Sequence, residues 1–112
     1  MVNFSATALA DYDEIVERSY LLFGARQAKK YATQIDHAAL ELARLGDKAV
    51  LLRRHLELQP VLYSYPLARI GQRARHQFFV SFDIERGDSI VNILRILHDR
   101  MDFVSHLLTD HD

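Results

Sequence analysis

Two amphipathic stripes separated by a single glycine constrain this chain more than any other feature. Leu9, Tyr12, Ile15, Val16, Tyr20 and Phe23 recur at steps of three and four, with Asp11, Asp13, Glu14, Glu17 and Arg18 between them, which predicts a helix over 6–23. Ala28, Tyr31, Ile35, Ala38, Leu42 and Leu45 repeat that spacing up to Gly46, which predicts a second helix over about 25–45. Only Gly24 separates them, and glycine tolerates the backbone geometry of a helix end, so the pair must form a helical hairpin. Leu9, Tyr12, Ile15, Tyr31, Ile35 and Leu42 are expected to pack it across a sheet.

The remaining segments supply that sheet. Val2 to Phe4 is a brief strand that hands over to Ser5 as a helix N-cap. From Asp47 to Gln59, the leucines 51, 52, 56 and 58 fit either a short third helix or a loop packed by its own side chains. Beyond Pro60 the period becomes two. His76, Phe78, Val80, Phe82 and Ile84 alternate with polar residues, Phe79 being the one apolar exception, which predicts a strand with one buried face. Glu85 to Asp88 contains a turn glycine, and Ile90 to Leu97 is apolar enough for a central strand under the hairpin. Tyr63 to Ile70 reads as a partner strand beyond a turn at Gly71 to Ala74, pushed towards a sheet edge by Pro66. Met101, Val104, Leu107 and Leu108 are spaced for a last short helix. The expected fold is α+β, one domain over 1–112: a short N-terminal strand, a helical hairpin on a three- to four-stranded antiparallel sheet, and a short C-terminal helix.

Composition removes several kinds of chemistry. The 112 residues include no cysteine, so disulfides, thiolate metal sites, iron–sulfur clusters and cysteine nucleophiles are excluded. No basic-then-apolar leader opens the chain, and no apolar run approaches the ~20 residues that span a bilayer, so a cytoplasmic protein with no membrane role is expected. Four glycines form no phosphate loop and no serine sits in a nucleophile elbow, which argues against common hydrolases, cofactors and small-molecule substrates. His98, Asp102 and His106 would present metal ligands only if one helix covered all three; His98 is expected to end a strand, so no metal is expected.

Charge is unevenly distributed. Residues 48–76 hold Lys48, Arg53, Arg54, Arg69, Arg73 and Arg75 against Glu57, a net of +5 in a chain whose total is −1, which leaves −6 elsewhere. Such a segment suits an acidic protein partner, a nucleic acid or a phosphate, and equally a solvated loop. Arg69, Arg73, Arg75 and His76, joined by Arg95 and His98 from the neighbouring strand, could converge as a phosphodiester-cleaving cluster, which needs a base, an acid and fixed positive charge. His76, however, alternates with Phe78 and Val80 and is expected to face the core, leaving His98 beside arginines that cannot release a proton. Six phenylalanines and five tyrosines, with Phe78, Phe79 and Phe82 crowded on one strand, exceed what one sheet face must bury; either a partner or the linker covers the surplus.

The ordered fragments resemble a known family. S-A-T-A-L-A-D-Y-D-E-I at Ser5 to Ile15, F-G-A-R-Q-A-K-K-Y at Phe23 to Tyr31, R-H-Q-F-F-V-S-F at Arg75 to Phe82 and I-L-R-I-L-H-D-R-M-D-F-V-S-H-L at Ile93 to Leu107 are similar to toxins of the ParE branch of the RelE/ParE superfamily. The resemblance covers nearly the whole chain. It implies the toxin of a type II toxin–antitoxin, plasmid-stabilising module, neutralised by a ParD-like antitoxin that lies across it and acting on DNA gyrase by binding. Relatives of RelE and YoeB type instead cut mRNA on the ribosome. In that alternative Arg75 and His98 would be catalytic, but Asp99 stands where YoeB-like enzymes carry a tyrosine. A third possibility is an inactive member kept for antitoxin binding. The residues expected to meet a partner are Arg69, Arg73, Arg75, Phe79, Arg95, His98 and Arg100.

Overall fold

The computed structural model describes residues 1–55, 62–67 and 76–98. Helices α1 (Ala6–Phe23) and α2 (Ala25–Leu45) pack on a five-stranded mixed sheet of β1 (Val2–Phe4), β2 (Arg53–His55), β3 (Leu62–Pro66), β4 (His76–Glu85) and β5 (Asp88–His98), ordered β1-β5-β4-β3-β2. The core lies between hairpin and sheet: Ala8, Ile35, Ala39 and Leu42 meet Tyr65, Phe78, Val80, Val91, Ile93 and Ile96. The family-like α+β architecture is as expected.

Local chemistry sets the helix ends. The Ser5 hydroxyl accepts from the Ala8 N–H at 2.9 Å, satisfying an orphan donor of the first turn. Gly24, at φ 90°, closes α1 by donating its N–H to the Tyr20 carbonyl and opens α2 by accepting from the Ala28 N–H. The β4–β5 turn needs two left-handed residues, Arg86 (φ 52°) and Gly87 (φ 84°), as two-residue hairpins with the matching twist do.

The joint between the layers is at β5. β1 pairs in parallel with β5 only from Val2↔Val91 to Phe4↔Ile93, which would leave the following edge of β5 unpaired. Ser5 and α1 take over there. The Ser5 N–H donates to the Ile93 carbonyl, and its hydroxyl donates to the Leu94 carbonyl at 2.8 Å. Nearly two turns further on, Asp11 Oδ2 accepts from the Ile96 N–H at 2.9 Å while both carboxylate oxygens accept from the Arg95 guanidinium, at 2.8 and 3.1 Å. A bulge in the opposing ladder belongs to the same joint: Phe79 pairs with Arg95 but Val80 with Ile93, so Leu94 is the extra residue. The bulge lets Ile93 and Ile96, three apart, both enter the core, where a regular strand would turn one of them away.

Several expectations need correction. The segment at 47–59, open between a third helix and a loop, instead ends the 3₁₀ turn Gly46–Lys48 and then forms β2, a three-residue strand too short to show a period; β2 to β5 make the four-stranded antiparallel sheet of the expected fold, and β1 adds to it in parallel as a fifth strand. β3 is not at an edge, since it lies between β4 and β2; Pro66 is accommodated as its last residue. Leu9, Tyr20 and Phe23 are exposed and Ala8 is fully buried, so the contact face of α1 is rotated towards its alanine, and Ala8, Ala28 and Ala39 are among the buried residues of the hairpin. Ile84 is also exposed, so the buried face of β4 stops short of the turn. The expected last helix, the 71–74 turn and the arginines 69, 73, 75 and 100 lie outside the described residues.

Two predictions follow from this packing. Leu42→Ala should cost about 2–5 kcal/mol through lost packing and a cavity, whereas Leu9→Ala should stay within about 0.5 kcal/mol, measured by denaturant unfolding. Asp11→Ala should cost about 2–4 kcal/mol, because it strands both the Ile96 N–H and a guanidinium whose side chain is only 13% exposed; an unchanged unfolding midpoint would contradict the joint.

Candidate functional site at the rim of the sheet

β4 begins and β5 ends at one rim of the sheet, and the register places a histidine on each. His76 and His98 are direct partners in the ladder, with ring centroids 5.3 Å apart and planes at 83°. From α2, Tyr31 brings its hydroxyl to 2.5 Å from His76 Nδ1, its ring packing edge-on at 5.6 Å. The carbonyl of His76 accepts from the Leu67 N–H as β3 leaves the sheet. All three side chains are half-buried, so they are held by packing and still open to solvent.

His76 therefore does lie on the helix side of β4, as the alternation with Phe78 and Val80 implies, but at its end rather than in the core. The expectation that His98 has no titrating neighbour is thereby corrected. Two imidazoles and a phenol in contact can give and take protons and donate hydrogen bonds to an anion.

The other expected site residues divide. Arg95 is held by Asp11, both side chains only 13% exposed, and serves the joint with α1. Phe79 is 1% exposed and packs against His55 at 6.2 Å, so its ring is structural rather than partner surface. His55 and Ser64 share a hydrogen bond at 2.8 Å, and both are buried too deeply to meet a substrate. Arg69, Arg73, Arg75 and Arg100 are outside the described residues, and of the described members of the expected set only His98 belongs to the rim cluster. Tyr31 and the accessible face of His76 escape sequence reasoning. In the sequence Tyr31 appears as the last residue of the family-like F-G-A-R-Q-A-K-K-Y segment, and its helical spacing assigned it to packing.

The hydroxyls of Tyr65 and Tyr12 stay protonated at neutral pH. Burial and then the Glu41 carboxylate raise the pKa of Tyr65, and burial and then Asp36, to which its hydroxyl donates at 3.2 Å, raise that of Tyr12. Among the described residues no three His, Asp or Glu side chains stand together as metal ligands, and no helix is long and apolar enough to cross a membrane.

The comparisons with known proteins agree with this architecture. A solved structure described as a chromosomal ParDE TA system from P. aeruginosa superposes with a TM-score of 0.63 at 21% identity, over 87% of this chain and 92% of that one, a likeness that speaks for the fold. No curated protein matches. The family described as the ParE toxin of the type II toxin–antitoxin system, parDE, matches residues 2–103. With nearly its whole length matched, from the β1 strand through the rim histidines, this chain belongs to the ParE toxin family.

Proposed function

We propose that the protein is the toxin of a plasmid-stabilising toxin–antitoxin module, acting in the cytoplasm by binding DNA gyrase and neutralised by a cognate ParD-like antitoxin. Membership of the ParE family supports the toxin role and an antitoxin partner. The observation that favours binding over catalysis is the Asp11–Arg95 pair. A nuclease needs fixed positive charge beside its acid–base groups. The arginine that the described part of β5 would offer is instead neutralised by a carboxylate and committed to holding α1.

A second reading has its own support. The contact of His98 with His76, and of His76 with Tyr31, supplies the paired titrating groups that ribosome-dependent mRNA cleavage would use, with Arg75 next to His76 in the chain. Expression without antitoxin, followed by mapping of mRNA ends and a supercoiling assay with purified protein, separates the two. Gyrase poisoning predicts inhibited supercoiling that survives His98→Ala and His76→Ala. Codon-positioned cuts that vanish in either variant, with supercoiling untouched, would establish the nuclease instead.

For the antitoxin, the +5 segment supports a strand or helix rich in acidic side chains meeting Arg69, Arg73 and Arg75. Association should then be at least tenfold faster at low than at high ionic strength, since exposed charges are screened beyond about 8–10 Å at physiological salt. A rate independent of salt would remove the electrostatic part of this proposal.

A further inference from the structure

The helical hairpin ends in a surface that neither the core nor the rim cluster uses. Every residue from 20 to 27 is exposed, and among them stand four consecutive large apolar side chains: Tyr20 (55%), Leu21 (73%), Leu22 (66%) and Phe23 (60%). A hairpin end needs only polar residues and a glycine, so this cluster is not explained by folding. Contiguous exposed apolar groups of this kind mark interaction surfaces.

The charges around it are mostly positive. Arg18, Arg26, Lys29 and Lys30 are all exposed, and although exposed Glu17 borders the cluster, no acidic residue occurs between positions 18 and 30 in a chain whose net charge is −1. Among the described residues no carboxylate pairs with any of the four. Arg26 and Lys30, at i and i+4 on α2, repel each other, and Arg26 stands in a first helical turn without acidic residues, where the backbone dipole is already positive. The arrangement costs α2 some stability, which an anionic neighbour would relieve.

We infer that the hairpin tip is a docking surface for an acidic, apolar-faced helix of another protein, which seats its apolar side on Tyr20–Phe23 and its carboxylates on Arg18, Arg26, Lys29 and Lys30. Aromatic and arginine side chains around a compact apolar centre are the composition of protein-interface hot spots. A lipid surface is the weaker fit, because four apolar side chains at one helix end give only marginal membrane binding. The tip is also preorganised. Gly24 is hydrogen-bonded into both helices, to Tyr20 and to Ala28, so little ordering is required on docking. Its residues are other than Tyr31, His76 and His98, and the inference does not depend on which target the toxin has.

The test uses the full-length protein and a labelled 18-residue helical peptide with one leucine face bordered by glutamates, beside the same peptide with lysines in place of the glutamates. The glutamate peptide should bind, more weakly as salt is raised, and the lysine peptide should not. Affinity should fall at least tenfold in Leu21→Ser, in Phe23→Ser and in the Arg26→Glu/Lys30→Glu pair, with thermal unfolding no lower than that of the native protein. Equal binding of both peptides, or binding indifferent to these substitutions, would overturn the inference. So would tip-dependent binding to phosphatidylglycerol vesicles without peptide binding, which would assign the surface to lipid. Self-association abolished by Arg26→Glu/Lys30→Glu would assign it to a second copy. Peptide binding that appears only after Asp102→Lys/Asp110→Lys would show that the chain's own C-terminal residues occupy the tip.

Discussion

The edge of β5 beyond Ile93 is the constraint on which the rest of the structure depends. β1 is three residues long and covers β5 only as far as Ile93, so the next backbone groups of a central strand would stand unpaired. An unpaired buried donor costs as much as a lost hydrogen bond, and an open edge invites wrong pairing. The chain answers with the start of α1: Ser5 on the Ile93 and Leu94 groups, Asp11 on the Ile96 N–H and the Arg95 guanidinium. These few hydrogen bonds dock the hairpin in one register. That register sets where α2 returns over the sheet, and so brings Tyr31 to His76.

Much of this was legible in the residues, and what was not has a physical reason in each case. The hairpin could be read because two long helices show many periods and Gly24 leaves no alternative connection. β4 could be read because a ten-residue strand alternates visibly, and β5 because Ile90 to Leu97 is apolar enough for a central strand. β2 could not, since Arg53–His55 contains barely one period of two. Asp11 lies among the polar residues of α1 and looks solvated; its role depends on an edge of β5 that exists only once β1 has ended. Arg95 likewise looks like surface charge until Asp11 is placed beside it. The bulge at Leu94, invisible to pattern, shifts the parity of β5 and puts Phe79 opposite Arg95.

The rim cluster shows the limit of alternation as a guide. Strand parity identifies the side of the sheet that His76 occupies but not its depth, and the difference between core and rim decides whether an imidazole is structural or available. The described residues thus present a half-buried group able to exchange protons, with the nearest β5 arginine already neutralised. A fold with such a rim can serve catalysis or recognition. Function in this architecture resides in surfaces added to a common scaffold.

The claim that one carboxylate joins hairpin to sheet is tested most directly by residue-resolved hydrogen exchange of the protein and its Asp11→Ala and Asp11→Asn variants. The account predicts that the Ile96 N–H is protected in the native protein although β1 does not reach it, and that removing the acceptor altogether, in Asp11→Ala, accelerates its exchange at least tenfold together with the first turns of α1, with Asp11→Asn, which keeps one acceptor oxygen, in between. The amides of Phe78 and Val80 should keep their protection. An Ile96 amide that exchanges at the same rate in the native protein and in Asp11→Ala, with α1 equally protected, would contradict the account.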